Sequence, residues 1–221
     1  MIAKELISEV VPVLSTSDTG QKALNWMEVF RVSHLPIVNN KEFLGLISDM
    51  DIYDINDPEQ AIGNHKLSLI KPFVRLDQHI FEIIDLASKL RLTVIPVLDS
   101  KNIYKGVVLA SDLLWKVAEM SSLREPGGII VISLLQSDYS LSQISQIIES
   151  NDAKVLNLYI SSAAESTKME ITIKLNTNNL VPIIRTFERY EYEISNWHGD
   201  DDELDRFYSD RFDSLMRYLD V

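Results

Sequence analysis

The sequence predicts a mixed α/β (α+β) chain: two β-α-β-β-α repeats of about 60 residues, a βαββαβ unit, and a closing amphipathic helix. Three observations carry this. Residues 12–38 match residues 72–98 at a constant offset of 60. A Pro126-Gly127-Gly128 break then ends the pattern. Beyond it Met169, Ile171, Ile173 and Leu175 alternate with Glu170, Thr172 and Lys174, the period of a half-buried strand. A chain of 221 residues that is 46% hydrophobic and 24% charged suits two compact globular units.

In the repeats, Pro12-Val13-Leu14 corresponds to Pro72-Phe73-Val74, Arg31 to Arg91, Ser33 to Thr93 and Pro36 to Pro96. Ser17-Asp18 and Asp77 are N-cap candidates. The apolar positions that follow, Ala23, Leu24, Met27 and Phe30 in one copy and Ile83, Ile84, Ala87 and Leu90 in the other, have helical spacing. Each helix leads to a short apolar strand containing a proline, which is expected at an edge or a strand end because proline lacks the ladder donor. A polar turn follows, Asn39-Asn40-Lys41 or Asp99-Ser100-Lys101-Asn102, and then a strand around Gly45 or Gly106. From that glycine the offset is 61, one residue having been added in the hairpin. Asp51 or Asp112 then introduces a further helix.

After the break, Gly128–Leu134 is β-rich, Leu141, Ile144, Ile147 and Ile148 are helical, and Val155–Ile160 and residues 169–175 are strands. Asn178-Asn179 precede a helix through Val181, Ile184, Phe187 and Tyr190 with Pro182 in its first turn, and residues 192–195 form a last strand. The order is that of a ferredoxin-like sheet. Leu204, Phe207, Tyr208, Phe212, Leu215, Met216 and Leu219 lie at spacings of three and four, an apolar helix face expected to dock on a neighbouring domain or a second subunit.

The doubled unit resembles a pair of cystathionine-β-synthase (CBS) domains. Gly45-Leu46-Ile47-Ser48-Asp49-Met50-Asp51 is similar to the family's Gly-h-h-(Ser/Thr)-x-x-Asp signature, while Gly106–Asp112 keeps the Gly and Asp but has Leu109 in the hydroxyl's place. The second half resembles an ACT domain in order and size, with Ser137–Leu141 where that family has a glycine for ligand approach. The whole is similar to the acetoin-utilisation protein B family. The corresponding divisions are residues 1–66 and 67–123 for the CBS repeats, 124–197 for the ACT-like domain and 198–221 for an acidic linker and helix.

The resemblance implies a cleft between the repeats that takes an adenosine-containing ligand: AMP first, with ATP, ADP or S-adenosylmethionine as other candidates. Asp51 and Asp112 would accept hydrogen bonds from ribose hydroxyls, and Ser48 would donate to ribose or phosphate. Ile37 and Val97 would border the base, and the loops at Thr16 and Leu76 would supply backbone groups. Both aspartates also suit a purely structural role as helix caps, and Ser48 one as a locally bonded hydroxyl. Lys41, Arg75, Lys101 and Lys105 are the cations near enough in sequence to meet a phosphate. A homodimer is expected.

Composition excludes other classes. With 33 acidic and 21 basic residues, a net charge of −12 and no basic run, nucleic acid is not an expected partner. Zero cysteines rule out disulfides and thiol chemistry. No signal-like start or 18-residue apolar run is present, so no membrane partner and a cytoplasmic location are expected. No nucleotide-hydrolase, dinucleotide, zinc-protease or serine-hydrolase motif occurs, and no required cofactor is expected. His34, His65, His79 and His198 are scattered, and Asp200–Glu203 read as a solvated charge run before a cation site. The expectation is a non-catalytic regulatory sensor. The alternative is a ligand-free scaffold or dimerisation protein acting on an unidentified protein target, which Leu109 and the absent ACT glycine would suit.

Overall fold

The computed structural model describes residues 1–54, 57–65, 69–162, 167–199, 216 and 218. The chain divides into two compact units, Met1–Val117 and Ala118–Val221, each with its own apolar core.

In the first unit, α1 (Gly20–Phe30), β1 (His34–Asn39), β2 (Glu42–Ser48) and α2 (Asp49–Tyr53) make one repeat. The other comprises β3 (Val74–Arg75), α3 (Ile80–Leu90), β4 (Val94–Leu98), β5 (Tyr104–Leu109) and α4 (Ala110–Met120). The hairpins β1–β2 and β4–β5 are antiparallel, and each shifts register once, between Ile37 and Val38 and between Val97 and Leu98. β3 pairs in parallel with β4, Val74 opposite Val97. Its counterpart in the first repeat shrinks to one bridge, in which Leu14 N donates to Pro36 O at 2.8 Å and Val38 N to Leu14 O at 2.7 Å. Pro96 lies inside the middle strand of β3-β4-β5, away from any edge. Pro36 is also flanked on both sides, and the neighbouring segment uses its carbonyl, so the missing N–H is not demanded.

The helices start one residue or more later than the acidic candidates suggested. Thr19 caps α1 by accepting from Lys22 N at 3.1 Å, while His79 caps α3 and Glu82 returns a bond to His79 N. Asp18 instead ties the preceding turn, accepting from Ser15 N at 2.8 Å and pairing with Lys22. Ala23 and Met27 of α1 and Ile83 and Ala87 of α3 are buried, but Leu90, at the end of its helix, is exposed. Both helices stop at an arginine with positive φ, 53° at Arg31 and 52° at Arg91. There Val32 N and Leu92 N reach back to Met27 O and Ala87 O and bury their side chains.

Each repeat is finished by chain that precedes the other. Residues 1–8 lie on the second repeat: Ala3 N donates to Gln78 O, Lys4 N to Leu76 O and Ser8 N to Val107 O, all within 2.9 Å. Residues 61–65 and Ile70 lie on the first in the same way, with Ile62 N to Asp18 O, Gly63 N to Thr16 O and Leu46 N to Ile70 O. The repeated glycine makes room for this crossing. A Cβ on Gly45 (φ +155°) would stand 2.7 Å from Leu69 Cβ and 2.9 Å from Ile70 O, and one on Gly106 (φ +139°) 2.6 Å from Ile7 Cγ2.

The second unit runs β6 (Ile129–Leu135), α5 (Leu141–Glu149), β7 (Val155–Ser161), β8 (Lys168–Leu175), α6 (Val181–Arg189), β9 (Glu193–His198). Its sheet is antiparallel with order β7-β8-β6-β9. Ile130, Ile132, Ile171 and Ile173 form one side of the core, and Ile144, Ile147, Ile184 and Phe187 from the two helices the other. Ser140 caps α5, but α6 has no side-chain cap and starts on Pro182 in its first turn, so Asn178-Asn179 do not serve as one. Of the apolar positions expected on the final helix, Met216 is described, helical and exposed. Leu204, Phe207, Tyr208, Phe212, Leu215 and Leu219, and the Asp200–Glu203 stretch, lie outside the described residues.

Candidate functional site

Ser48 ends β2 in extended conformation and caps α2, its Oγ accepting from Asp51 N at 3.1 Å. Asp51 answers with one oxygen: Oδ2 accepts from Ser48 N and from Ser48 Oγ, both at 2.7 Å. The Ser-x-x-Asp spacing is thus a capping box, and both residues are half-buried. Oδ1 of Asp51 takes no hydrogen bond among the described residues, which leaves about half the acceptor capacity of the carboxylate open. In the second repeat Asp112 sits in the first turn of α4, and Leu109 has no hydroxyl with which to make the same box.

Beside Asp51 the two repeats meet through a short polar link. Thr93 Oγ1 accepts from Ser33 N at 3.0 Å and lies 3.0 Å from His34 Nδ1, and Thr93 N donates to that nitrogen at 3.4 Å. Nδ1 is therefore an acceptor, which requires a neutral imidazole. Burial pushes the His34 pKa below its ordinary value, against the opposing pull of Asp49 and Asp51. In the sequence His34 is only one of four scattered histidines. The repeated hydroxyl at Ser33 and Thr93 was the signal that could have found it.

The remaining candidates are placed as follows. Ile37 and Val97, 1% and 0% exposed, are core residues opposite Gly45 and Gly106. Thr16 is held by Asn39, whose Nδ2 donates to Thr16 Oγ1 at 2.9 Å, and its carbonyl accepts from Gly63 N. The Leu76 carbonyl likewise accepts from Lys4 N. No hydrogen bond joins either loop to Ser48, Asp51 or Asp112 among the described residues. Arg75 donates to Asp99 O and, at 2.8 Å, to Asn102 Oδ1, and Lys105 pairs with Asp99 at 3.1 Å, so both cations brace a hairpin. Lys41 and Lys101 are exposed. Among the described residues no group of three His, Cys, Asp or Glu could hold a metal ion.

A cleft and a groove open on the surface of the first unit among the described residues. A cleft of about 430 Å³ between α1 and α2 is lined by Gln21, Asn25, Arg31, Ser33, Asp49 and Tyr53, none of them a sequence-predicted site residue. A groove of about 560 Å³ runs between the crossing segment Glu5–Val10 and α4, where Asp112, Trp115 and Lys116 line it.

Residues 3–56 match the family model for the CBS domain. Inosine-5'-monophosphate dehydrogenase of Methanocaldococcus jannaschii is 25% identical over 150 residues, 66% of this chain and 30% of that enzyme. The chain therefore spans under a third of that curated relative. Among solved structures, a CBS domain pair/ACT domain protein of Thermotoga maritima is 24% identical with a TM-score of 0.49, covering 54% of this chain and 98% of that one. CBSX2 in complex with AMP is 16% identical with a TM-score of 0.46, covering 53% and 96%. Among the described residues no helix is long and apolar enough to cross a membrane.

Proposed function

We propose that this chain, whose residues 3–56 match the CBS domain model and recur as a structural repeat in the same compact unit, is a tandem CBS protein acting as a non-catalytic regulator that senses an adenosine-containing ligand, AMP foremost. The observation that carries the reading is the divided carboxylate of Asp51. Oδ2 is fixed by Ser48, and Oδ1 is left able to accept from the 2′- and 3′-hydroxyls of a ribose. A rigid acceptor loses little freedom on binding, which favours affinity. The second unit, ACT-like in element order, is the coupled domain, and the working assembly is a homodimer.

The test is thermal unfolding with AMP, ADP, ATP and S-adenosylmethionine, on the natural chain and on Asp51→Ala. Ligand at 100 times its Kd adds about 2.7 kcal/mol. That moves the midpoint by several degrees, and the AMP shift disappears in Asp51→Ala. Asp51→Ala keeps the Ser48 cap but loses the carboxylate half of the capping box, which lowers the ligand-free stability of that variant, so the shift is read against its own baseline. No shift with any adenine compound at millimolar concentration overturns the sensor.

A second reading, a scaffold working through protein contacts, is favoured by one observation. Val29, Met50, Tyr53, Leu114 and Trp115, on helices of both repeats, are exposed apolar residues. It predicts no stabilisation by nucleotides.

A further inference from the structure

The cleft between α1 and α2 of the first repeat carries charges of both signs, and we infer that it binds a free α-amino acid as its zwitterion. The inference goes beyond the adenosine reading and does not depend on a ligand at Asp51. Glu28 and Arg31, at the end of α1, and Asp49, which opens α2, line the cleft together with the apolar Leu24, Met27 and Tyr53. Its volume of about 430 Å³ lies toward the small end of the roughly 300–1,000 Å³ range of ligand pockets, which suits a compact polar molecule.

The charges are held apart. Glu28 and Arg31 have a spacing at which an acid and a base ordinarily pair on a helix, but Arg31 leaves the helix at φ 53° and ψ 47°. Among the described residues neither side chain makes an ion pair or a hydrogen bond, and Asp49 engages only Oδ1, which accepts from Met50 N at 2.8 Å. The backbone that carries them is fixed. Val32 N donates to Met27 O at 3.0 Å, Asp49 N to Ser33 O at 3.1 Å, and Ser33 N to Thr93 Oγ1 at 3.0 Å. Open charges on rigid mounts lose little freedom when a ligand arrives. The second repeat keeps Arg91 in the place of Arg31 but has Ser88 and Ala110 in those of Glu28 and Asp49, so the fold of a repeat does not require this set.

The two ends of the occupant follow from that set. An α-carboxylate can take two parallel hydrogen bonds from the Arg31 guanidinium, and an α-ammonium, with three donors, can be shared between Glu28 and Asp49. Two carboxylates against one guanidinium leave the lining anionic, so a neutral or basic amino acid is accepted and a second carboxylate on the ligand is repelled. Leu24, Met27 and Tyr53 offer apolar contact to the ligand's side chain.

The experiment is calorimetric titration of the full chain with leucine, lysine, glutamine and glutamate, each also as its Nα-acetyl and its α-amide form. It is repeated on Glu28→Gln, Arg31→Gln and Arg31→Lys, with circular dichroism establishing that each variant is folded. At least one of leucine, lysine and glutamine is expected to bind, and blocking either of its ends should weaken it by about tenfold or more. Glutamate should bind more weakly than glutamine. Glu28→Gln and Arg31→Gln should each cost about tenfold in affinity, and Arg31→Lys, which keeps the charge but loses the fork, should cost less than Arg31→Gln. No binding by any of the four at millimolar concentration, binding that tolerates a blocked end, glutamate binding as tightly as glutamine, or affinity unchanged in Glu28→Gln and Arg31→Gln overturns the inference. None of these outcomes bears on the sensor, which stands or falls on its AMP shift.

Discussion

His34 carries a burden that its neighbours define. Its Nδ1 accepts from Thr93 N, while the negative charges of Asp49 and Asp51 favour the protonated ring. Burial lowers its pKa in the folded chain, so below about pH 6.5 the unfolded chain binds the extra proton and the folded chain resists it. Stability is therefore present above the unfolded pKa and falls as the pH drops toward the folded one. Urea denaturation between pH 7.5 and 5.5 should show this decline, and His34→Gln, which keeps an acceptor without titrating, should flatten it. An unchanged slope in the variant would assign the dependence to other groups. Asp18 and Asp99 contribute in the same direction only at lower pH. In Asp18 burial is outweighed by Lys22 and Ser15, and in Asp99 the Ile103 N–H leads, so both carboxyls are held below the ordinary range.

Among the elements, the crossing segments make the chain that precedes one repeat part of the other. Gly106→Ala places a methyl 2.6 Å from Ile7 Cγ2 at a φ of +139°, combining overlap with backbone strain, and should cost at least about 2 kcal/mol. Hydrogen exchange gives the location: faster exchange at Ser8 and Val107, which bond each other, with the Leu46–Ile70 pair unaffected. Uniform acceleration across both repeats would contradict that separation. The sequence displayed these glycines through their repetition, yet their partners were hidden. Ser8 and Val107 are close in space and about a hundred residues apart, and no local period records such a pairing. Strand and helix periodicities were legible because one face of each element is buried, as Ile171 and Ile173 illustrate. The first cap falls on Thr19 and not on Asp18 because Asp18 satisfies its own turn. At the candidate site Ser48 and Asp51 could be read as a pair from spacing, while His34 could not, since its partner Thr93 lies in the other repeat.

For the molecule as a whole, net charge sets its company. At −12 the chain should leave duplex DNA and RNA unshifted in gel mobility at 0.1 M salt, and retention of either would reverse the exclusion of polyanions. The reciprocal crossing of residues 1–8 and of residues 61–65 and 70 also bears on synthesis. Residues 1–8, the first of this stretch to leave the ribosome, reach their partner strand only after Val107 has emerged. Until then the second repeat has no cover, whereas the first can close as soon as Ile70 is out. A pause in translation between those two points would hold a half-finished pair, with Ala3 and Leu6 of the unplaced segment, both buried in the finished unit, still open to solvent and to chaperones.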